Sequence, residues 1–147
     1  MVKLDQILEN WKKDSIVDET SPHRELLNIP ILHAKYVEIL SQHRIASQKA
    51  KFDYSKMKKI RREYFLGNLD KETLDEYKWE QFDLKIGTKG NIEYYLDADE
   101  LLIKFLEKKA YYDECILLCE SILKELHSRT FQLKEFCTHQ RFLSGSY

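Results

Sequence analysis

The chain has 147 residues, 43% of them apolar and 33% charged, with only four glycines and two prolines. That length fits one domain, or a small domain with an oligomerisation segment, and the scarcity of Gly and Pro disfavours a many-turned β fold and favours long helices. A formal charge of −1 conceals a strong asymmetry: the window His43–Arg62 holds eight Lys or Arg against the single acid Asp53, so it carries +7, and the rest of the chain carries −8.

In chain order, Leu4, Ile7, Leu8 and Trp11 recur at helical spacing and predict a short amphipathic helix ending near Asp14. Ser21-Pro22 reads as an N-cap followed by proline at the first helical position. A long helical pattern then runs towards Phe65, with a kink or break expected near Ile29 because Pro30 removes a backbone donor and crowds the preceding turn. Gly67-Asn68 is its stop signal. An acidic segment from Asp70 predicts a second short helix capped by Asn68 or Asp70. Around Gly87–Gly90, two short apolar runs suggest either a small β-hairpin or an extended loop. Asp97-Ala98-Asp99-Glu100 reads as a helix start with Asp97 as the cap, in preference to a divalent-cation site. From Glu100 to about Leu143 the helical pattern is uninterrupted, and a seven-residue seam passes through Ile116, Cys119, Leu123, Leu126 and Leu133. The apolar face is broader than that seam, which implies burial against more than one helix and favours an oligomer, with those five residues at the contact. The predicted organisation is therefore mainly α. Residues 1–67 form the N-terminal helices with the basic stretch, 68–98 an acidic linker with a hairpin or loop, and 99–147 the C-terminal oligomerisation helices.

The basic stretch carries the strongest functional signal. Ile39, Ala46, Ala50, Met57, Ile60 and Tyr64 fall on one helical face, and the cations mostly fall opposite. Phe52 is the exception among the large apolar residues, because its direction lies among Arg44, Lys56 and Lys59. Cations that neutralise phosphates beside a ring that any base can stack on are what a single-stranded nucleic-acid site needs. Lys49, Lys56, Lys58, Lys59, Arg61, Arg62 and Phe52 are the candidate DNA-binding residues, with Tyr54 a further stacking candidate. A solvated helix face, an acidic protein partner and an anionic membrane surface compete with this assignment.

Several chemistries are not visible. There is no GxxxxGK[ST] loop for a nucleotide triphosphate, no nucleophile motif, and no clustering of the five histidines with other metal ligands. No enzyme, cofactor or metal is expected. Cys115, Cys119 and Cys137 are odd in number with no N-terminal signal peptide, which suggests reduced thiols in a cytoplasm, and Cys115 and Cys119 read as core residues. No apolar run approaches the ~20 residues of a membrane span.

Two stretches resemble the UvsY family of recombination mediators from T-even-type bacteriophages. Lys59-Ile60-Arg61-Arg62-Glu63-Tyr64-Phe65-Leu66-Gly67 is similar to the family's Lys-x-Arg-x-acid-aromatic-aromatic-x-Gly segment. Ser128-Arg129-Thr130-Phe131-Gln132-Leu133-Lys134, closing on Phe142 and Gly145, is similar to its C-terminal run. Trp11-Lys12-Lys13-Asp14 and Tyr95–Glu100 fit the same order, while Pro30 departs from it. The resemblance implies a helical protein without ATPase activity that binds single-stranded DNA, forms a ring-like homo-oligomer through its C-terminal helices, and helps load a RecA-like phage recombinase onto DNA covered by the phage single-strand-binding protein, in the cytoplasm of the infected host. It carries Lys59 and Arg61 over as DNA contacts. The alternative from another class is a coiled-coil adaptor whose basic helix docks an acidic protein partner.

Overall fold

The computed structural model describes residues 1–82 and 89–145. Five helices follow in order: α1 (Leu4–Asp14), α2 (Pro22–Phe65), α3 (Lys71–Tyr77), α4 (Lys89–Asp97) and α5 (Glu100–Leu143). Among the described residues there is no strand, so the mainly helical architecture is the one expected. The chain packs as two compact units that cut across the three consecutive segments read from the sequence: Met1–Ile45 with Tyr112–Tyr147, and Ala46–Tyr111. The two long helices, α2 and α5, each contribute to both.

In the first unit the core is mainly aliphatic. Ile7 of α1 meets Leu32, Tyr36, Ile39 and Leu40 of α2 and Cys115, Cys119, Ile122 and Leu126 of α5, with Trp11 packed against them. Along the part of α5 in this unit the buried positions are 115, 119, 122, 126, 129 and 133, which is a 4-3 alternation. The expected seam is therefore shifted by one residue in alternate steps. Cys119, Leu126 and Leu133 are buried as the seam required, but Cys115 and Ile122 take the inner places that Ile116 and Leu123 were expected to hold. Apolar residues stand at both phases, so the seven-residue spacing did not distinguish them. Arg129 settles the phase by occupying a buried position with its guanidinium directed at the end of α1: Nη1 donates to the carbonyl of Asp14 at 3.0 Å.

Of the kink or break expected near Ile29, the break does not occur: α2 continues as one helix through Pro30. Pro30 is exposed, so water can solvate the carbonyl it leaves unpaired, and the buried Leu32 and Tyr36 anchor the following turn.

The second unit has an aromatic core. Phe65, Ile92, Leu96 and Leu102 are buried, with Tyr54, Met57, Tyr64, Phe82 and Tyr95 around them. α2 ends here in a double hydrogen-bonded turn: Asn68 N–H donates to Glu63 O at 2.9 Å and Gly67 N–H to Tyr64 O at 3.0 Å, with Gly67 at φ +74. α3 starts at Asp70, whose carboxylate accepts from Thr73 N–H at 2.8 Å, one of the two caps expected. Residues 83–88, where the first arm of the hairpin would fall, lie outside the described residues. The second arm is not a strand: residues 89–97 form α4, because Ile92 and Leu96 are four apart and both insert against Phe65. The cap of α5 is also not the one expected. Asp97 closes α4, and Asp99 caps α5 by accepting from Leu101 N–H at 3.1 Å.

Candidate nucleic-acid interface

The residues expected to bind DNA separate into two groups. Lys49, Phe52, Lys56 and Lys59 follow one another at spacings of three, four and three on α2, and all four are exposed. At a rise of 1.5 Å per residue they form a stripe about 15 Å long. Phe52 leaves 54% of its surface open in the middle of it. Among the described residues none of the three lysines makes an ion pair. Lys51, also exposed, flanks the stripe. The inward side of the same segment holds Ala50 in the core and Met57 against the aromatic cluster, which fixes the stripe outward.

The second group is engaged inside the protein. Lys58 is half-buried, with its ammonium 5.9 Å from the Tyr54 ring. That contact also occupies Tyr54 as a stacking surface. Arg62 Nη2 donates to Glu93 Oε1 at 2.5 Å; both side chains are over a third open to water, where such a pair contributes little. Arg61 donates twice to Asp99, from Nε at 2.6 Å and from Nη2 at 3.3 Å. Its guanidinium carbon also lies 4.5 Å from the Tyr64 ring centre, 4.9 Å from Phe65 and 4.7 Å from Trp79. Arg44, whose charge was counted with the stretch, pairs with Glu120 at 3.0 Å in the first unit.

Sequence reasoning missed the partners in the second group. Asp99 stands 38 residues from Arg61, and no periodicity connects them. Trp79 arrives through the turn after α3, where Lys78 adopts a left-handed φ of 60 and Trp79 N–H reaches back to Leu74 O at 2.9 Å. Tyr77 stacks on the Trp79 ring at 4.5 Å, and Arg61 contacts the same ring, so the indole is occupied as a base-stacking surface. Among the described residues of this unit, Tyr94 and Tyr111 are also exposed aromatics. The residues assigned to subunit contacts are committed within the protomer: Cys119, Leu126 and Leu133 are buried, and Ile116 and Leu123 pack on the first core. Burial pushes the Cys119 thiol up to about 11, with Cys115 and Glu120 adding to it. Among the described residues no group of side chains could hold a metal ion, and no helix is long and apolar enough to cross a membrane.

The structure thus offers an outward Lys-Phe-Lys-Lys stripe on a helical scaffold, and the sequence matches the family described as "Recombination, repair and ssDNA binding protein UvsY" over residues 10–146. The chain belongs to the UvsY family. It is 23% identical over 144 residues to the recombination protein uvsY of Enterobacteria phage T4, covering 98% of this chain and 99% of that one. Its fold is similar to crystal structures of the bacteriophage T4 recombination mediator protein UvsY. In one lattice the TM-score is 0.84 at 22% identity, with 98% of this chain and 99% of the other covered. In a second it is 0.80 at 20% identity, with 96% and 98% covered. The UvsY family thus brings together recombination, repair and single-stranded-DNA binding with the helical architecture described above.

Proposed function

We propose that this protein is a non-enzymatic recombination mediator that holds single-stranded DNA along Lys49, Phe52, Lys56 and Lys59. It helps to load a RecA-like phage recombinase onto DNA covered by the phage single-strand-binding protein, in the cytoplasm of the infected host. The observation that carries this reading is the exposed stripe, three lysines around one open ring with no ion pair among the described residues, in a chain of a DNA-binding recombination family. Phosphates meet the lysines with release of counterions, and one base stacks on Phe52 without regard to its identity. Lys58 and Arg62 add charge at the flank.

The copies assemble as a homo-oligomer, a ring, in which weak stripes act together on one strand. With the inner face of α5 committed to the protomer core, the subunit contact falls to side chains that remain exposed. Leu27, Ile31 and Ile45 of α2 and Leu117 of α5 are large apolar groups left open to water. Sedimentation velocity should give one assembly larger than the monomer; a monomer at all concentrations contradicts the ring.

Mediation is tested with the recombinase on DNA pre-coated with the single-strand-binding protein. The wild type should shorten the lag before strand exchange, and a Lys49→Gln/Lys56→Gln/Lys59→Gln variant should not. Tight DNA binding that leaves the lag unchanged would reduce the protein to a strand binder and contradict the mediator role. If DNA affinity is negligible in a folded oligomer, the basic helix instead docks an acidic protein.

A further inference from the structure

Arg61 differs from its neighbours on α2 in where its charge goes. Only 13% of its side chain is exposed, and 4% of that of Asp99. Asp99 Oδ2 accepts from Arg61 Nε, while Oδ1 accepts from both Arg61 Nη2 and the Leu101 N–H that begins α5. The planar guanidinium is enclosed by the Tyr64, Phe65 and Trp79 rings. A DNA phosphate could take this arginine only by drawing it away from a buried carboxylate and three aromatic faces, and that separation leaves the Asp99 carboxylate, only 4% exposed, without its partner. Arg61 also stands two positions after Lys59, about 200° round the helix from it, so it does not continue the stripe.

We infer that Arg61 is a positioning residue: it fastens the last turns of α2 to the first turn of α5 and to Trp79, and thereby holds Lys56 and Lys59 in place without itself touching DNA. The inference rests on the reading that the stripe binds single-stranded DNA. It divides the basic segment into a contact set and a clamp. A fork that donates twice to one carboxylate and lies flat against rings suits arginine and not lysine, whose ammonium is a compact point charge.

The two roles separate by charge and by geometry. Fluorescence anisotropy with a labelled single-stranded oligonucleotide, at several salt concentrations, would be run beside thermal melts for the wild type, Arg61→Gln, Arg61→Lys and Asp99→Asn. Each phosphate contact to a single strand contributes about 0.7 to the slope of log affinity against log salt. As a clamp, Arg61→Gln and Arg61→Lys both melt below the wild type, both keep its salt slope, and lose less than about tenfold in affinity. Asp99→Asn, which retains a capping side chain, melts lower and binds DNA no more tightly than the wild type. The inference is overturned if Arg61→Gln loses about 0.7 from the slope while Arg61→Lys matches the wild type in melting and binding. It is equally overturned if Asp99→Asn tightens binding by releasing Arg61. Arg61→Lys keeps the charge, so its melt and slope decide the matter even where Arg61→Gln does not fold. Failure of the wild type to bind the oligonucleotide would remove the stripe reading, and the melts would still show whether Arg61 clamps.

Discussion

Each unit is fastened by an arginine that meets a tryptophan and an aspartate, and the two arrangements differ in what the arginine holds. In the first unit, Arg129 lies 5.4 Å from the Trp11 ring and donates to the backbone carbonyl of Asp14 at the end of α1. The Asp14 carboxylate is left for Lys35 at 2.6 Å and Tyr36 at 2.8 Å. In the second, Arg61 lies 4.7 Å from Trp79 and takes the carboxylate of Asp99 directly at the start of α5. One arginine closes a helix C-terminus, whose carbonyls attract a cation; the other holds the acid that caps an N-terminus. The outward faces differ as well. On the α2 segment of the first unit, the large apolar residues Leu27, Ile31 and Ile45 lie open, whereas on that of the second the exposed positions include Lys49, Phe52, Lys56 and Lys59. These outward apolar groups and outward cations of α2 therefore belong to different units.

The comparison breaks most completely in the aliphatic core. Leu126→Ala should cost about 2–5 kcal/mol in chemical denaturation, because the side chain is fully buried against α1 and α2. A loss under 1 kcal/mol would mean that this core does not hold the first unit together.

The acid network of that unit comes next. Burial raises the Asp14 carboxyl, but the hydrogen bonds from Lys35 and Tyr36 and the charges of Lys35 and Arg129 outweigh it and hold the group below its ordinary value of 3.8. A depressed folded pKa stabilises the fold above the unfolded value, and that contribution is lost as pH falls through the folded one. Stability should therefore fall on acidification below about pH 4, and Asp14→Asn should remove this part of the pH dependence at a cost of about 1.5–3 kcal/mol near neutrality. Denaturation of both proteins across acid pH measures it; parallel curves would contradict the network.

A smaller effect, of opposite sign, lies in the second unit. Lys78 holds a left-handed φ of 60 to deliver Trp79. Lys78→Gly should stabilise by a few tenths of a kcal/mol up to about 1, seen as a raised melting midpoint; a lowered one would show that the lysine side chain makes a compensating contact. The smallest expected change in protomer stability follows from Leu27→Glu/Ile31→Glu, since both side chains are already exposed, at 77% and 67%. Helicity and core should survive while the assembly dissociates in sedimentation. An unchanged assembly would place the subunit contact elsewhere.

What was legible in the sequence was whatever local spacing specifies. The ends of α1 and α2, the C-terminal end of α5, the Asp70 cap and the Gly67 stop depend on residues within one or two turns, and each stands where the pattern put it. The stripe was legible for the same reason: exposure on a helix follows from an apolar face opposite. What was hidden depended on distant partners. The phase of the α5 seam was set by Arg129 reaching back 115 residues to Asp14. The withdrawal of Arg61 from the basic face was set by Asp99 and Trp79. Two apolar residues side by side, as at Cys115-Ile116 and Ile122-Leu123, are equivalent to a spacing rule until the facing helices choose between them.

The most direct test of the central claim is the salt dependence of single-stranded DNA affinity for the wild type and for Lys49→Gln/Lys56→Gln/Lys59→Gln, at concentrations where both show the same assembly in sedimentation. The stripe account predicts tight, salt-sensitive binding by the wild type and a slope shallower by about 2 per protomer engaged in the variant, with an unchanged melting temperature. A variant that keeps the wild-type slope and affinity would show that the strand lies elsewhere on the protein.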